Sequence, residues 1–285
     1  MEREGKAMGF HQPQRIAELA VEAGARKASL PLLTMLVLGF LGGAFIAMGF
    51  LLDIRIVAGL PPEWGSFNTF LGAAVFPVGL ILLIIAGGEL LTGNMMAVTI
   101  AWTSRKITAA KLFNNLFWIT ISNFLGSIFV AYLFGHVISL TETEPYLSST
   151  VAMAEGKLNA GFWASLISGI GCNWMVGLAV WLTYGADDIG GKILAIWFPI
   201  MGFVAIGFQH VVANMFLIPA AIFAGYFSWI DYLGNFIAVF IGNLIGGGLF
   251  VAFAYYVAYI NNAEPAVAGG SNLLQIKNNR QKLRR

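Results

Sequence analysis

The sequence predicts an all-α membrane protein of six transmembrane helices, built as two halves of three spans, with the second and fifth helices broken. Composition, the placement of Lys and Arg, and an internal repeat carry that prediction. Of 285 residues, 58% are hydrophobic and only 11% are charged, with a mean hydropathy of +0.78. A soluble domain carries about 25% charged residues. The run from Asn68 to Gly88 holds no charge and exceeds the roughly 18–20 apolar residues that cross a bilayer. The lipid bilayer is therefore the expected solvent.

Three regions are expected: an amphipathic lead-in (1–30), a transmembrane domain (31–260, with repeats at about 31–140 and 162–260) and a basic tail (261–285). Met1 to Pro13 is polar and lacks the apolar core of a signal peptide. Gln14 to Ser29 places Ile16, Leu19, Ala20 and Ala23 at helical spacing with charges between, which predicts an interfacial helix; a solvated helical lead-in is the alternative. The six spans fall at about Pro31–Leu52, Thr69–Trp102, Leu112–Leu140, Phe162–Tyr184, Ile193–Phe227 and Asn235–Ile260.

The cations sort by side. Arg3, Lys6, Arg15, Arg26, Lys27, Arg105, Lys106, Lys111, Lys192 and the tail's Lys277, Arg280, Lys282, Arg284 and Arg285 share one face, against Arg55 and Lys157 on the other. Positive charge stays cytoplasmic, so both termini are expected in the cytoplasm of a plasma (inner) membrane protein, in keeping with an even number of spans.

Spans two and five are too long. Each holds about 34 residues, roughly 50 Å of helix against a hydrocarbon core of about 30 Å. Both contain breakers: Pro77, Gly87, Gly88 and Gly93 in one, Pro199, Gly202, Gly207 and Pro219 in the other. A shift of 120 residues lays Gly87, Glu89, Asn94 and Met95 on Gly207, Gln209, Asn214 and Met215, and lays Asn115, Asn123 and Gly126 on Asn235, Asn243 and Gly246. Three spans per half require the halves to sit inverted. Interruptions at matching places point to a transport site.

Polar residues at membrane depth are few, and each needs a task or a partner. His210 is deep in an apolar segment and on an expected break, unlike His11 and His136. It reads as a proton or hydrogen-bond donor facing a pore, against a neutral histidine bonded to a carbonyl. Glu89 is expected to accept N–H groups freed by unwinding, and Thr92 to bind a substrate oxygen or cap the following half-helix. Asn94 and Asn214 are expected to cap the half-helices, turning positive dipole ends toward an anion. Lys157, in an outer loop near Glu142, Glu144 and Glu155, reads first as solvated. Asn173 could donate to a partner helix or to Lys157. Phe76, Leu80, Leu90 and Phe203 read as packing or lipid-facing residues.

Other chemistries lack their residues. The chain has no CxxC, HExxH, Walker loop or GxSxG, and its single Cys172 excludes an intrachain disulfide. A bis-histidine haem or metal site would need a second buried histidine. The basic tail is accounted for by topology, so no nucleic-acid partner, cofactor, metal or enzymatic activity is expected.

Three ordered motifs resemble the formate/nitrite transporter family: Gly87 to Asn94 ("GGELLTGN"), Gly171 to Trp181 ("GCNWMVGLAVW") and Gly207 to Pro219 ("GFQHVVANMFLIP"), in a likeness running from about Gln14 to Ile260. The resemblance implies an aquaporin-like protomer, a homopentamer with one pore per protomer, and small anions such as formate, nitrite and hydrosulfide as substrates. It makes His210 the central histidine and Thr92 its partner, Lys157 and Asn173 an electropositive pair, Phe76 and Phe203 the outer constriction, and Leu80 and Leu90 the cytoplasmic one. Gln209 stands where many members carry Glu, Gly177 where Cys is frequent, and Leu91 where Phe or Ile is commoner. The expected activity is passage of a weak-acid anion, formate first, which takes up a proton from water or through His210 in transit. An aquaporin-like channel for neutral solutes is the rival of another class.

Overall fold

The computed structural model describes residues 9–261, and expectations placed on residues 1–8 and 262–285, including Arg3, Lys6 and the basic tail, lie outside them. Six helical stretches are long and apolar enough to cross a membrane. The chain runs through α1 (Pro13–Lys27), α2 (Leu32–Val57), α3 (Ser66–Val75), α4 (Val78–Ala86), α5 (Leu91–Thr103) and α6 (Ala109–Val130). The second half repeats the order in α7 (Tyr146–Leu158), α8 (Phe162–Thr183), α9 (Ile189–Ile206), α10 (Val211–Phe223) and α11 (Trp229–Ile245), followed by α12 (Ala254–Tyr259). The third span of each half lengthens through a π-helical segment, Ala131–Val137 after α6 and Gly246–Phe253 after α11.

Both long spans break, and at the matched place. Residues 87–90 and 207–210 are non-helical, with Gly87 at φ +104° and Gly207 at φ +87°, a region that side chains other than glycine rarely adopt. The last residue of each break has nearly the same backbone: Leu90 at φ −114°, ψ 128° and His210 at φ −104°, ψ 120°. Not every expected breaker interrupts. Pro199 and Gly202 lie inside α9, Pro219 inside α10 and Gly93 inside α5, while Pro77 makes only the short kink between α3 and α4. In membrane helices neighbouring groups re-satisfy a carbonyl freed by proline.

Close helix crossings hold each half together. A side chain at Gly126 would strike the Phe40 carbonyl, and one at Gly246 the Ile170 carbonyl, so α6 against α2 and the end of α11 against α8 pack backbone to backbone. Lipid supplies no hydrophobic drive between helices, and such close packing replaces it.

α1 corrects an expectation. Its stripe of Ile16, Ala17, Ala20, Val21, Ala23 and Gly24 is buried, and Gly24 abuts the Ala97 carbonyl of α5. The helix docks on protein because small residues let it approach another backbone, so it is not a solvated lead-in. α2 runs five residues past its expected end and carries Asp53 and Arg55 within helix. There the Arg55 guanidinium lies 3.4 Å over the Tyr146 ring and donates to the Leu140 carbonyl at 3.3 Å.

Candidate pore site

Unwinding at membrane depth strands backbone groups, and one asparagine repairs each break. Asn123 accepts from the Leu91 N–H at 2.8 Å and donates to the carbonyls of Glu89 (2.8 Å) and Gly39 (2.7 Å). Asn243 accepts from the Val211 N–H at 2.9 Å and donates to the carbonyls of Gln209 (3.1 Å) and Gly169 (2.8 Å). Each clips together the two sides of a break and a neighbouring helix. The expected caps, Asn94 and Asn214, do not cap. They sit one turn inside their helices and donate back to Glu89 and Gln209 and across to Asn115 and Asn235. Position explains this: a side chain reaching back from the first turn meets the preceding polar residue, whereas the orphan N–H groups face the packed third span.

The polar residue before each break is held by a second network. Glu89 takes a hydrogen-bonded ion pair from Lys27 at 2.7 Å and a bond from Asn94 at 2.8 Å, not the freed backbone N–H groups expected of it. Asn115 ties this cluster to the Lys27 carbonyl at 3.0 Å. In the second half Asn235 likewise donates to the Lys157 carbonyl (3.1 Å) and to Gln209 (2.8 Å), and the Gln209 amide donates to the Lys157 carbonyl (3.2 Å) and to Ser165 (3.0 Å). Lys27 and Lys157 thus occupy equivalent places, at a shift of 130 against 120 after the breaks. The first half holds ten more residues between these points. Lys157 is not a solvated loop residue. It lies near the end of α7, and its ammonium donates to the carbonyls of Gly207 (3.1 Å) and Phe208 (3.3 Å). Burial pushes that ammonium below the ordinary lysine range, with Cys172 and Asp53 pulling it back up.

His210 caps α10. The Ala213 N–H donates to Nδ1 at 3.1 Å, and Nε2 lies 2.8 Å from Thr92 Oγ1. With its lone pair used at Nδ1, the neutral ring carries its proton on Nε2 and donates to Thr92. The breaks of the two halves therefore meet through Thr92 and His210. Asn173 donates to the carbonyls of Thr92 (3.2 Å) and Asn243 (2.7 Å), so of the two expected partners it chooses the neighbouring helices over Lys157.

A narrowing series of cavities leads to His210. A vestibule of about 720 Å³ is lined by Phe50, Asp53, Lys157, Ser168 and Gln209 among others. Beyond it a chamber of about 40 Å³ touches Asp53, Lys157, Phe76, Phe203, His210 and Asn214. A last void of about 10 Å³, room for roughly one water, lies between Phe76, Leu80, Leu90, Phe203 and His210. Phe76 and Phe203 are in edge contact at 5.8 Å and border both inner spaces, and Phe203 leans on His210 at 5.7 Å. Thr92 and Asn173 are fully buried and line none of these spaces.

The formate/nitrite transporter family profile matches residues 14–257, nearly everything just described. The chain belongs to the formate/nitrite transporter family. It is 62% identical to an uncharacterized transporter, YrhG, of Bacillus subtilis over 88% of this chain and 95% of that one. It is 59% identical to the formate channel BtFdhC of Bacillus thuringiensis over 88% and 97%. A solved pentameric formate channel with formate bound superposes with a TM-score of 0.70 at 27% identity, covering 80% of this chain and 97% of that one. This is a multi-pass membrane transport protein.

Within this family member, sequence reading missed Asp53, which lines both outer spaces, and the clip role of Asn123 and Asn243. The repeat had paired the two asparagines. Their partners lie in other helices, so no local pattern announced the function. Asp53 falls just past the expected end of span one, and the apolar pattern resumes after it at Ile54, Ile56 and Val57, so the helix could have been continued through it.

Proposed function

We propose that this protein is a channel for small monovalent weak-acid anions, formate foremost, which cross its hydrophobic neck as the neutral acid. The observation that carries the reading is the funnel itself: a lysine at the junction of vestibule and chamber, followed by two phenylalanines, a capped histidine and two leucines. A bare charge at bilayer depth costs several kcal/mol or more. A carboxylic acid with pKa near 4 is neutral in only about one molecule in a thousand at pH 7, so attraction or a proton has to be supplied.

Lys157 draws the anion through the vestibule, and loss of water beyond it raises the anion's pKa until a proton transfers. Phe76 and Phe203 form the outer constriction, Leu80 and Leu90 the inner one. Nε2–H of His210 exchanges its bond to Thr92 for one to the acid as the acid passes between them. Because Nδ1 is engaged by Ala213, water reached through the vestibule is the simpler proton source, with His210 a hydrogen-bond donor. Asn173 supports Thr92 from behind. The name of the relative and the formate-bound neighbour favour formate; nitrite and hydrosulfide share its size and charge. The pentameric neighbour favours a homopentamer with a pore in each protomer, and the Lys and Arg asymmetry favours cytoplasmic termini in the plasma membrane.

The test is labelled-formate uptake by liposomes holding the purified protein, between pH 7.5 and 6. Uptake above the protein-free baseline is expected to rise as pH falls, by up to about tenfold per pH unit, following the neutral fraction. Uptake that declines steadily on acidification rejects the neutral-acid mechanism, and uptake of water or glycerol without formate rejects the anion channel.

A further inference from the structure

We propose that Asp53 is the proton donor of the outer mouth: its carboxylic acid protonates the anion held beside Lys157 before it enters the neck. The inference rests on the neutral-acid reading above and names the group that supplies the proton. Asp53 projects from α2 with 6% of its surface exposed. Among the described residues no side chain or backbone N–H bonds its carboxylate, and no cation lies within 4.0 Å. The ionisable side chains at the two breaks, by contrast, all have partners: Glu89 has Lys27, Lys157 has two carbonyls, and His210 has Ala213 and Thr92. A buried carboxyl without partners belongs to a functional site by default.

Its place is specific. Asp53, Lys157 and Phe50 border both the 720 Å³ vestibule and the 40 Å³ chamber, so they mark the threshold between wide water and narrow neck. Gly72 of α3 packs against the carboxylate itself, where any side chain would collide with Oδ1. One carboxylate oxygen thus lies against the α3 backbone, while the residue lines both spaces. The titratable or charged groups on the elements packed around α2 are Tyr146, Glu155 and Lys157 of α7, Lys111 of α6 and His210 heading α10; α3 and α4 have none. Only Lys157 and His210 share a cavity with Asp53, and Arg55 on its own helix is turned to Tyr146 and Leu140.

The step balances simply. The O–H bond of Asp53 breaks, its proton joins an oxygen of the anion, and the electron pair stays on the carboxylate. The neutral acid moves past Phe76 and Phe203, and the carboxylate recovers a proton from vestibule water. Lys157 steadies the anion beforehand and the Asp53 carboxylate afterwards. At fixed total formate the donor form of Asp53 grows as pH falls and then saturates, so uptake climbs on acidification and levels off.

The experiment compares formate uptake by liposomes containing the full chain, its Asp53→Asn and its Asp53→Glu variants, from pH 8 to 5. Asp53→Asn is expected to lose about a hundredfold in maximal rate at pH 7, the lower end of what a positioned proton donor contributes. It keeps or tightens its half-saturating formate concentration, because Lys157 is no longer opposed, and it loses the acid plateau. Asp53→Glu restores rate and plateau. A wild-type-like profile in Asp53→Asn overturns the proposal while leaving neutral-acid passage intact; a wild-type protein whose uptake falls with acid defeats that broader reading instead. Should Asp53→Asn fail to assemble, the wild type decides by infrared difference spectroscopy. Adding formate at pH 6 must shift the carbonyl band of a protonated carboxylic acid as the anion accepts its hydrogen bond, and a spectrum without that shift overturns the assignment.

Discussion

His210 has two jobs that separate by substitution. Its Nδ1 accepts the Ala213 N–H, and asparagine is among the best residues at the same cap. His210→Asn is therefore expected to keep the fold and a pH profile of wild-type shape, since the titrating partners are the anion and the vestibule, not the ring. His210→Leu removes both cap and hydrogen bond. It is expected to cost about 1 kcal/mol of stability and to depress uptake, read by thermal unfolding in detergent and by the liposome assay. A flat pH profile in His210→Asn would return the proton relay to the imidazole. Lys157 adds to the same trend. Burial holds its ammonium below the ordinary lysine range, so its attraction fades earlier than a free lysine's as pH rises, and uptake at alkaline pH falls further.

At the scale of elements, the breaks survive because Asn123 and Asn243 satisfy three backbone groups each. Asn243→Leu leaves the Val211 N–H and the carbonyls of Gln209 and Gly169 without that partner. At about 1–3 kcal/mol per stranded buried group, the variant is expected to unfold at clearly lower temperature than Asn214→Leu, which strands no backbone group. Equal losses would show that the clip is not what holds the break. The breaks themselves were legible in the sequence, because a 34-residue apolar run overshoots the bilayer and Gly87 and Gly207 recur at one shift. The clip was not, since Asn123 acts on residues more than thirty positions away. Lys27 likewise belonged on paper to a lead-in, yet it neutralises Glu89 from 62 positions upstream. Local pattern locates where a helix stops. Which distant group repairs the stop depends on packing.

For the whole molecule, span number, two-half design and family were legible because apolar length, cation asymmetry and three ordered motifs agree. The funnel was legible only through resemblance. Phe76 and Phe203 look like any buried aromatics until α3 and α9 bring their rings to 5.8 Å. Phe203→Ala is expected to open the 40 Å³ chamber and admit larger monocarboxylates such as acetate with several-fold greater relative uptake, measured as the acetate-to-formate ratio. An unchanged ratio would place selectivity elsewhere.

The two equivalent lysines have one last consequence. Lys27 is neutralised in place by Glu89, whereas Lys157 stands over Gln209, an amide with no charge to offer. A scaffold nearly symmetric in its bonds is thus electrically lopsided, since of the two lysines only Lys157 keeps its charge without a carboxylate partner. In liposomes, Gln209→Glu is expected to need several-fold more formate than the wild type for half-maximal uptake, because the added carboxylate cancels the charge that gathers the anion.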